Sequence, residues 1–91
     1  MEENPSIVIY TTTYCPYCVK AKKLLAQKNV PYHEINVEDD KARQEMIERA
    51  HGRRTVPQIF IGDYHVGGCD DLYALEKEGR LDDLLGKKHR Q

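Results

Sequence analysis

The sequence is short of several things, and each shortage removes a class of protein. Its longest unbroken apolar run is Ile7-Val8-Ile9-Tyr10, far below the ~20 apolar residues that a membrane-spanning helix requires. The first residues, Met1-Glu2-Glu3, are acidic where a secretory leader carries positive charge, and no apolar segment of leader length follows. The expectation is therefore an intracellular, cytoplasmic protein that does not engage a membrane. Charge of one sign is also missing: 14 Lys and Arg stand against 15 Asp and Glu, a formal net charge of −1. Such a balance produces no long-range field that would gather nucleic acid or an anionic bilayer. The one basic cluster, Lys87-Lys88-His89-Arg90, follows Gly86 without apolar residues and reads as a frayed tail over residues 86–91. Three cysteines do not make the even-numbered framework of a secreted, disulfide-stapled fold. Their chemistry is then the question, because a stapling role is excluded.

What is present fits one domain. A chain of 91 residues buries only about 60 to 65% of its unfolded surface and has no room for a second core, so residues 1–91 are expected to form one unit with a core over about residues 6–85. No internal repeat or low-complexity stretch interrupts it. The apolar run at residues 7–10 is β-branched and uncharged, the pattern of a central strand covered on both faces. Pro16 suits the first turn of a helix, where its missing N–H is no loss, and Ala21, Leu24 and Leu25 recur at helical spacing while Lys20, Lys22 and Lys23 turn outward. Asn29 ends that helix. Tyr32, Ile35 and Val37 suggest a second strand with Glu34 facing out. Across residues 39–51, Ala42, Met46, Ile47 and Ala50 share one face, with acids at the start and Gly52 at the end, which describes a second helix. Ile59-Phe60-Ile61, Gly62-Asp63 and Tyr64-His65-Val66 spell a hairpin with a type II′ connection. A third helix begins near Cys69 and stops before Gly79, and a short helical piece covers residues 81–85. The first strand, helix and second strand make a right-handed parallel crossover, and the hairpin adds antiparallel strands. The predicted architecture is α/β: a four-stranded mixed sheet flanked by helices, in the order β-α-β-α-β-β-α.

Chemistry concentrates at Cys15-Pro16-Tyr17-Cys18. A Cys-x-x-Cys pair at a strand-to-helix junction puts its first sulfur at a helix N-terminus, where unpaired N–H groups and the positive dipole end stabilise a thiolate. Cys15 is accordingly the nucleophile. Cys18 shares a helical face with Ala21 and Leu25, points inward, and is the resolving partner. The pair could instead be half of a zinc site, but tetrahedral zinc needs two further ligands and only Cys69 and dispersed histidines remain. An inert structural pair would have no need of helix-start placement behind an in-turn proline. Redox exchange accounts for the pattern best, with no metal. Pro57, just before an apolar strand, suits a cis peptide bond that turns the preceding backbone outward, so that Val56 can pair with an extended peptide. The helix start at Cys69 and Asp70 offers N–H groups to a carboxylate and a carboxylate to an ammonium, although Asp70 as a plain N-cap is an equal reading of the residues alone. His33, His51, His65 and His89 are scattered and read as surface or sheet residues, and Met46 and Phe60 as core.

Taken together, Cys15-Pro16-Tyr17-Cys18, Thr55-Val56-Pro57 and Gly67-Gly68-Cys69-Asp70 resemble the motifs of the dithiol glutaredoxins of bacterial type. The similarity spans nearly the whole chain, and three motifs in order at the right ends of the predicted elements are far more specific than any one. The resemblance implies a thioredoxin-like fold and a glutathione-disulfide oxidoreductase. Its substrates would be glutathione mixed disulfides and protein disulfides, with glutathione as the reducing co-substrate and no bound cofactor. It also implies a monomer whose partners are glutathione and disulfide-bonded or glutathionylated proteins. By the same resemblance Cys15 and Cys18 are catalytic, and Tyr17, Thr55, Val56, Pro57, Gly68, Cys69 and Asp70 bind glutathione, with Tyr17 packing over it and Cys69 supplying backbone contacts.

The chain departs from the family pattern at Thr12, where similar proteins often carry a lysine three residues before the first cysteine. Thiolate stabilisation then rests more on the helix terminus, and the glycyl carboxylate of glutathione needs another cation, Arg53 or Arg54. Tyr14 beside the nucleophile is a second unusual feature. Two rival readings arise from the same motifs. A glutathione-ligated iron-sulfur carrier is disfavoured by Pro16, which cluster-binding relatives more often lack. A thioredoxin fed by a flavoprotein reductase is disfavoured because there is no Trp and the motif is Pro-Tyr.

Overall fold

The computed structural model describes residues 6–86, so the basic cluster at residues 87–90 lies outside the described residues. Five-residue β1 (Ile7–Thr11) is followed by α1 (Pro16–Gln27), β2 (His33–Asn36), α2 (Asp40–Arg49), the hairpin β3 (Gln58–Ile61) and β4 (Tyr64–Gly67), then α3 (Cys69–Lys77) and the one-turn α4 (Leu81–Leu84). The four strands form one mixed sheet in the order β2-β1-β3-β4. β1 runs parallel to β2 and antiparallel to β3, and β3 runs antiparallel to β4. The α/β architecture expected from the sequence is the one observed, with α4 as its short final helical piece.

The period of two along the strands sorts the core into two layers. Ile7 and Ile9 of β1 and Ile59 and Ile61 of β3 point to one side, where they meet Ala21, Leu24 and Leu25 of α1, Leu72 and Leu75 of α3, and Leu81 of α4. Tyr10 and Phe60 point to the other, packing with Val37 and with Met46 and Ala50 from α2 and its C-cap. Sequence patterning thus places α1 and α3 together on one face of the sheet, and their N-termini carry Cys15 and Cys69. Helix ends follow the local chemistry. Asp39 caps α2 by accepting the Ala42 N–H at 2.9 Å, and beyond α1 Asn29 takes a φ of 59°, the left-handed conformation common just past a helix.

In the hairpin, Gly62 has a φ of 58°, which glycine reaches at no steric cost and a type II′ turn requires at that position. The pairing also contains a shift that alternation did not announce. Phe60 faces His65, yet Ile59 faces Gly67, leaving Val66 as an extra residue on β4. Such a bulge bends the strand and re-aims the chain beyond it, here the turn that leads into α3.

Candidate active site

Cys15 is the N-cap of α1 and uses its sulfur as other caps use an oxygen: Sγ accepts the backbone N–H of Cys18 at 3.1 Å. Pro16 at the first helical position has no N–H to offer, so the sulfur meets the free donors further along the turn. The sulfur thus sits at the positive end of the helix dipole with a backbone donor aimed at it. Cys15 is half-buried, whereas Cys18 is 1% exposed among core side chains. Burial pushes the Cys18 thiol up to about 12, its hydrogen bond with Cys15 adds to that rise, and the backbone of Thr12 and the charge of Lys22 oppose it. The two sulfurs therefore occupy contrasting environments, one open at a helix start and one enclosed.

Beside Cys15 lies a cleft of about 170 Å³ lined by Tyr17, Arg53, Val56, Pro57, Gly68, Cys69, Asp70 and Asp71. The Val56–Pro57 peptide bond is cis, as the place of the proline before β3 suggested, and the Val56 carbonyl oxygen is 4.0 Å from Cys15 Sγ. Tyr17, 60% exposed, lines the cleft together with the start of α3. Gly68 is its N-cap and Asp71, three residues on, reaches back to accept the Gly68 N–H at 2.9 Å, so Asp70 is not the cap and its carboxylate lines the cleft. Cys69 is 5% exposed, and burial pushes its thiol up.

Of the residues singled out by sequence, the structure brings Tyr17, Val56, Pro57, Gly68, Cys69 and Asp70 around one opening; Cys15 adjoins it at the Val56 carbonyl, and Cys18 is enclosed outside the lining. Thr55 is not brought into the lining. Its hydroxyl and carbonyl oxygens accept hydrogen bonds from Gln58 Nε2, at 3.1 and 3.0 Å. Of the two arginines weighed as a cation, Arg53 lines the cleft, with Nη1 3.8 Å from Asp71 Oδ2, and Arg54 does not. Sequence reasoning missed Asp71 and Gln58. The spacing Gly68-x-x-Asp71 is half of a capping-box pattern and was the available signal for Asp71. Gln58 is fully buried, and His65 Nε2 lies 2.7 Å from its Oε1, an arrangement that fixes the turn ahead of Val56. His65 itself stacks on Phe60 with ring centroids 4.6 Å apart. Tyr14 is 92% exposed and outside the cleft lining. Among the described residues no group of three or more His, Cys, Asp or Glu side chains is placed to hold a metal ion, and no helix is long and apolar enough to cross a membrane.

Comparison with known proteins gives a consistent result. The Glutaredoxin family model matches residues 7–66. Glutaredoxin 3 of Escherichia coli K12 is 54% identical over 81 residues, which cover 88% of this chain and 96% of that protein. The solution structure of a glutaredoxin from Brucella melitensis superposes with a TM-score of 0.81 at 54% identity, covering 97% of this chain and 98% of that one. A crystal structure of a buckwheat glutaredoxin in complex with glutathione superposes with a TM-score of 0.79 at 37% identity, covering 91% of this chain and 77% of that one.

Proposed function

This chain belongs to the glutaredoxin family of thioredoxin-like oxidoreductases, and we propose that it reduces glutathione mixed disulfides and protein disulfides through Cys15 and Cys18, with glutathione as electron donor. The observation that carries the reading is the placement of Cys15: its sulfur caps α1, accepts the Cys18 N–H, and opens beside the Val56 backbone at the cleft.

In the proposed cycle the Cys15 thiolate attacks a sulfur of the substrate disulfide, and the departing thiolate takes a proton from solvent. The mixed disulfide on Cys15 is then resolved by glutathione, or by Cys18 when the bound partner is a protein. Two glutathione molecules end as one disulfide. Glutathione is assigned to the cleft as a short extended peptide pairing with the Val56 main chain, its sulfur next to Cys15 and Tyr17 packing over it. The N–H groups of Cys69 and Asp70 at the start of α3 suit its γ-glutamyl carboxylate, with Gly68 in the cleft lining beside them, the Asp70 carboxylate suits its ammonium, and Arg53 its glycyl carboxylate. Pro57 shapes the cleft wall, and Thr55 belongs to the site indirectly, as the acceptor for Gln58 that holds the segment before Val56. The complex of the buckwheat relative with glutathione supports this assignment. The same reading makes the protein a cytoplasmic, monomeric, single-domain enzyme that needs no bound cofactor.

The test is turnover of a small glutathione mixed disulfide with glutathione, glutathione reductase and NADPH. NADPH consumption that depends on glutathione supports the reading. Activity supported by thioredoxin reductase and not by glutathione overturns it.

A further inference from the structure

To resolve a mixed disulfide, Cys18 must itself become a thiolate at a position that is 1% exposed, where burial disfavours the charged form. Lys22 stands four residues beyond Cys18 in α1, one turn along the same side of the helix, and its charge opposes the effect of burial on Cys18. This ammonium is not a wandering surface charge. Nζ donates to Glu34 Oε2 at 2.8 Å, and the same oxygen accepts the Thr11 hydroxyl at 2.7 Å. Thr11 is fully buried at the end of β1, and Glu34 lies on the neighbouring β2. A hydrogen-bonded chain thus runs from β1 through β2 to α1 and ties the lysine ammonium to the sheet edge, one helical turn beyond Cys18. The carboxylate also keeps the lysine charged, since their hydrogen bond raises the Lys22 ammonium and holds the Glu34 carboxyl below the usual range.

We propose that Lys22, held by Glu34 and Thr11, is a positioning residue for the dithiol route, its ammonium stabilising the Cys18 thiolate as that sulfur attacks the mixed disulfide on Cys15. The step needs no outside oxidant. Cys18 gives its proton to solvent, its sulfur bonds to Cys15 Sγ, the bond from Cys15 to the partner sulfur breaks, and the partner leaves as a thiolate that takes up a proton. The inference rests on the roles proposed above for Cys15 and Cys18.

The experiment mixes the reduced protein with glutathione disulfide and tracks, by acid quench and mass spectrometry, the Cys15-glutathione adduct and its first-order conversion to the Cys15–Cys18 disulfide. Lys22→Met is expected to slow that conversion about three- to tenfold, the size of one partly screened charge. It should slow it relative to the attack of free glutathione on the same adduct, measured in a Cys18→Ser background. Lys22→Arg should restore most of the rate. The deficit of Lys22→Met should shrink from low salt to about 1 M, where the screening length falls to about 3 Å. Glu34→Gln keeps an acceptor for both donors but removes the opposing charge, and it should speed the conversion. Three results overturn the proposal: a Lys22→Met rate equal to that of the unmodified protein, a deficit that neither arginine nor salt relieves, or a Glu34→Gln variant as slow as Lys22→Met. If the adduct never forms, the reading of Cys15 falls instead.

Discussion

Asp71 joins the stability of α3 to the shape of the cleft, which makes it the most telling residue to change. In Asp71→Ala the Gly68 N–H loses the carboxylate that accepts it at 2.9 Å, and Arg53 loses a partner at 3.8 Å. Loss of such a cap costs about 0.5–2 kcal/mol. The bond is exposed to solvent, so water replaces part of it and the lower half of that range applies. The arginine pair adds little, since both side chains are about half exposed and pairs of this kind contribute ~0 to 1 kcal/mol. The sum is about 1 kcal/mol, which in a domain of this size shifts the thermal midpoint by about 4–8 °C. Gly68 and Arg53 both line the cleft, so a start of α3 that is less well held should raise the KM for glutathione while leaving alkylation of Cys15 by iodoacetamide unchanged. Thermal melts by circular dichroism and a glutathione titration at fixed mixed disulfide measure the two effects. Asp71→Asn, which keeps an acceptor for Gly68 and loses only the charge, should fall between the variant and the unmodified protein. A melting point within about 1 °C of the unmodified protein in Asp71→Ala, or a fall in Cys15 alkylation with KM unchanged, would refute the reasoning.

Cys15→Ser should abolish turnover of every disulfide, because a serine hydroxyl at this cap is not a thiolate nucleophile, and clear residual turnover in the coupled assay would contradict its role. Cys18→Ser should keep activity on small glutathione mixed disulfides, where a second glutathione resolves the adduct, while losing most activity on protein disulfides and accumulating trapped complexes on non-reducing gels; parallel loss of both activities with the fold intact would remove Cys18 as resolving thiol. Stability should fall in alkali. The Cys18 thiol lies near 9.0 when unfolded and is pushed up to about 12 by burial in the fold, so between those values the unfolded chain has released a proton that the folded chain retains. Its contribution is whole below pH about 9 and lost as pH rises toward 12; urea midpoints across that interval should decline less steeply in Cys18→Ala than in the unmodified protein. Leu25→Ala, at a fully buried position between α1 and the sheet, should lower the unfolding free energy by about 2–5 kcal/mol in urea titrations, and a smaller loss would mean that the site collapses around the cavity.

The parts of the fold that were legible in the sequence are those where one local rule acts alone. β1 is a short uncharged run and sits in the middle of the sheet; α1 begins at a proline that fits its first turn, and the asparagine just past its end fits the left-handed exit from a helix; Gly62-Asp63 turns the hairpin. β2 was blurred because it is an edge strand with three of its four residues exposed, so hydrophobic alternation had little to mark. The bulge between Ile59 and Phe60 was invisible, since register answers to the whole hairpin and to the turn into α3.

The candidate site divides in the same way. The placements of Cys15, Cys18 and Pro57 were readable because each depends on position within one element: a helix start, one turn further along it, a strand start. Arg53 and Arg54 are adjacent in sequence and chemically identical, and only the path of the chain after α2 puts the first in the cleft lining and leaves the second out. Asp70 and Asp71 are a second such pair. Both line the cleft, but the cap falls on Gly68, so the Asp71 carboxylate is taken up by the Gly68 N–H while Asp70 makes no cap bond. The roles within the second pair are therefore a consequence of a single residue of helix phase, and those within the first of the irregular chain between α2 and β3. The Thr11–Glu34–Lys22 chain lies beyond even that kind of inference, because its members are 23 and 12 residues apart in sequence and meet only where β1 and β2 pair in parallel beside α1. On the role proposed for Lys22, the anchoring of its ammonium is thus a property of the crossover itself: a change in the pairing of β1 with β2 would take Glu34 away as its acceptor, whereas the Cys15 cap is made within residues 15–18 alone.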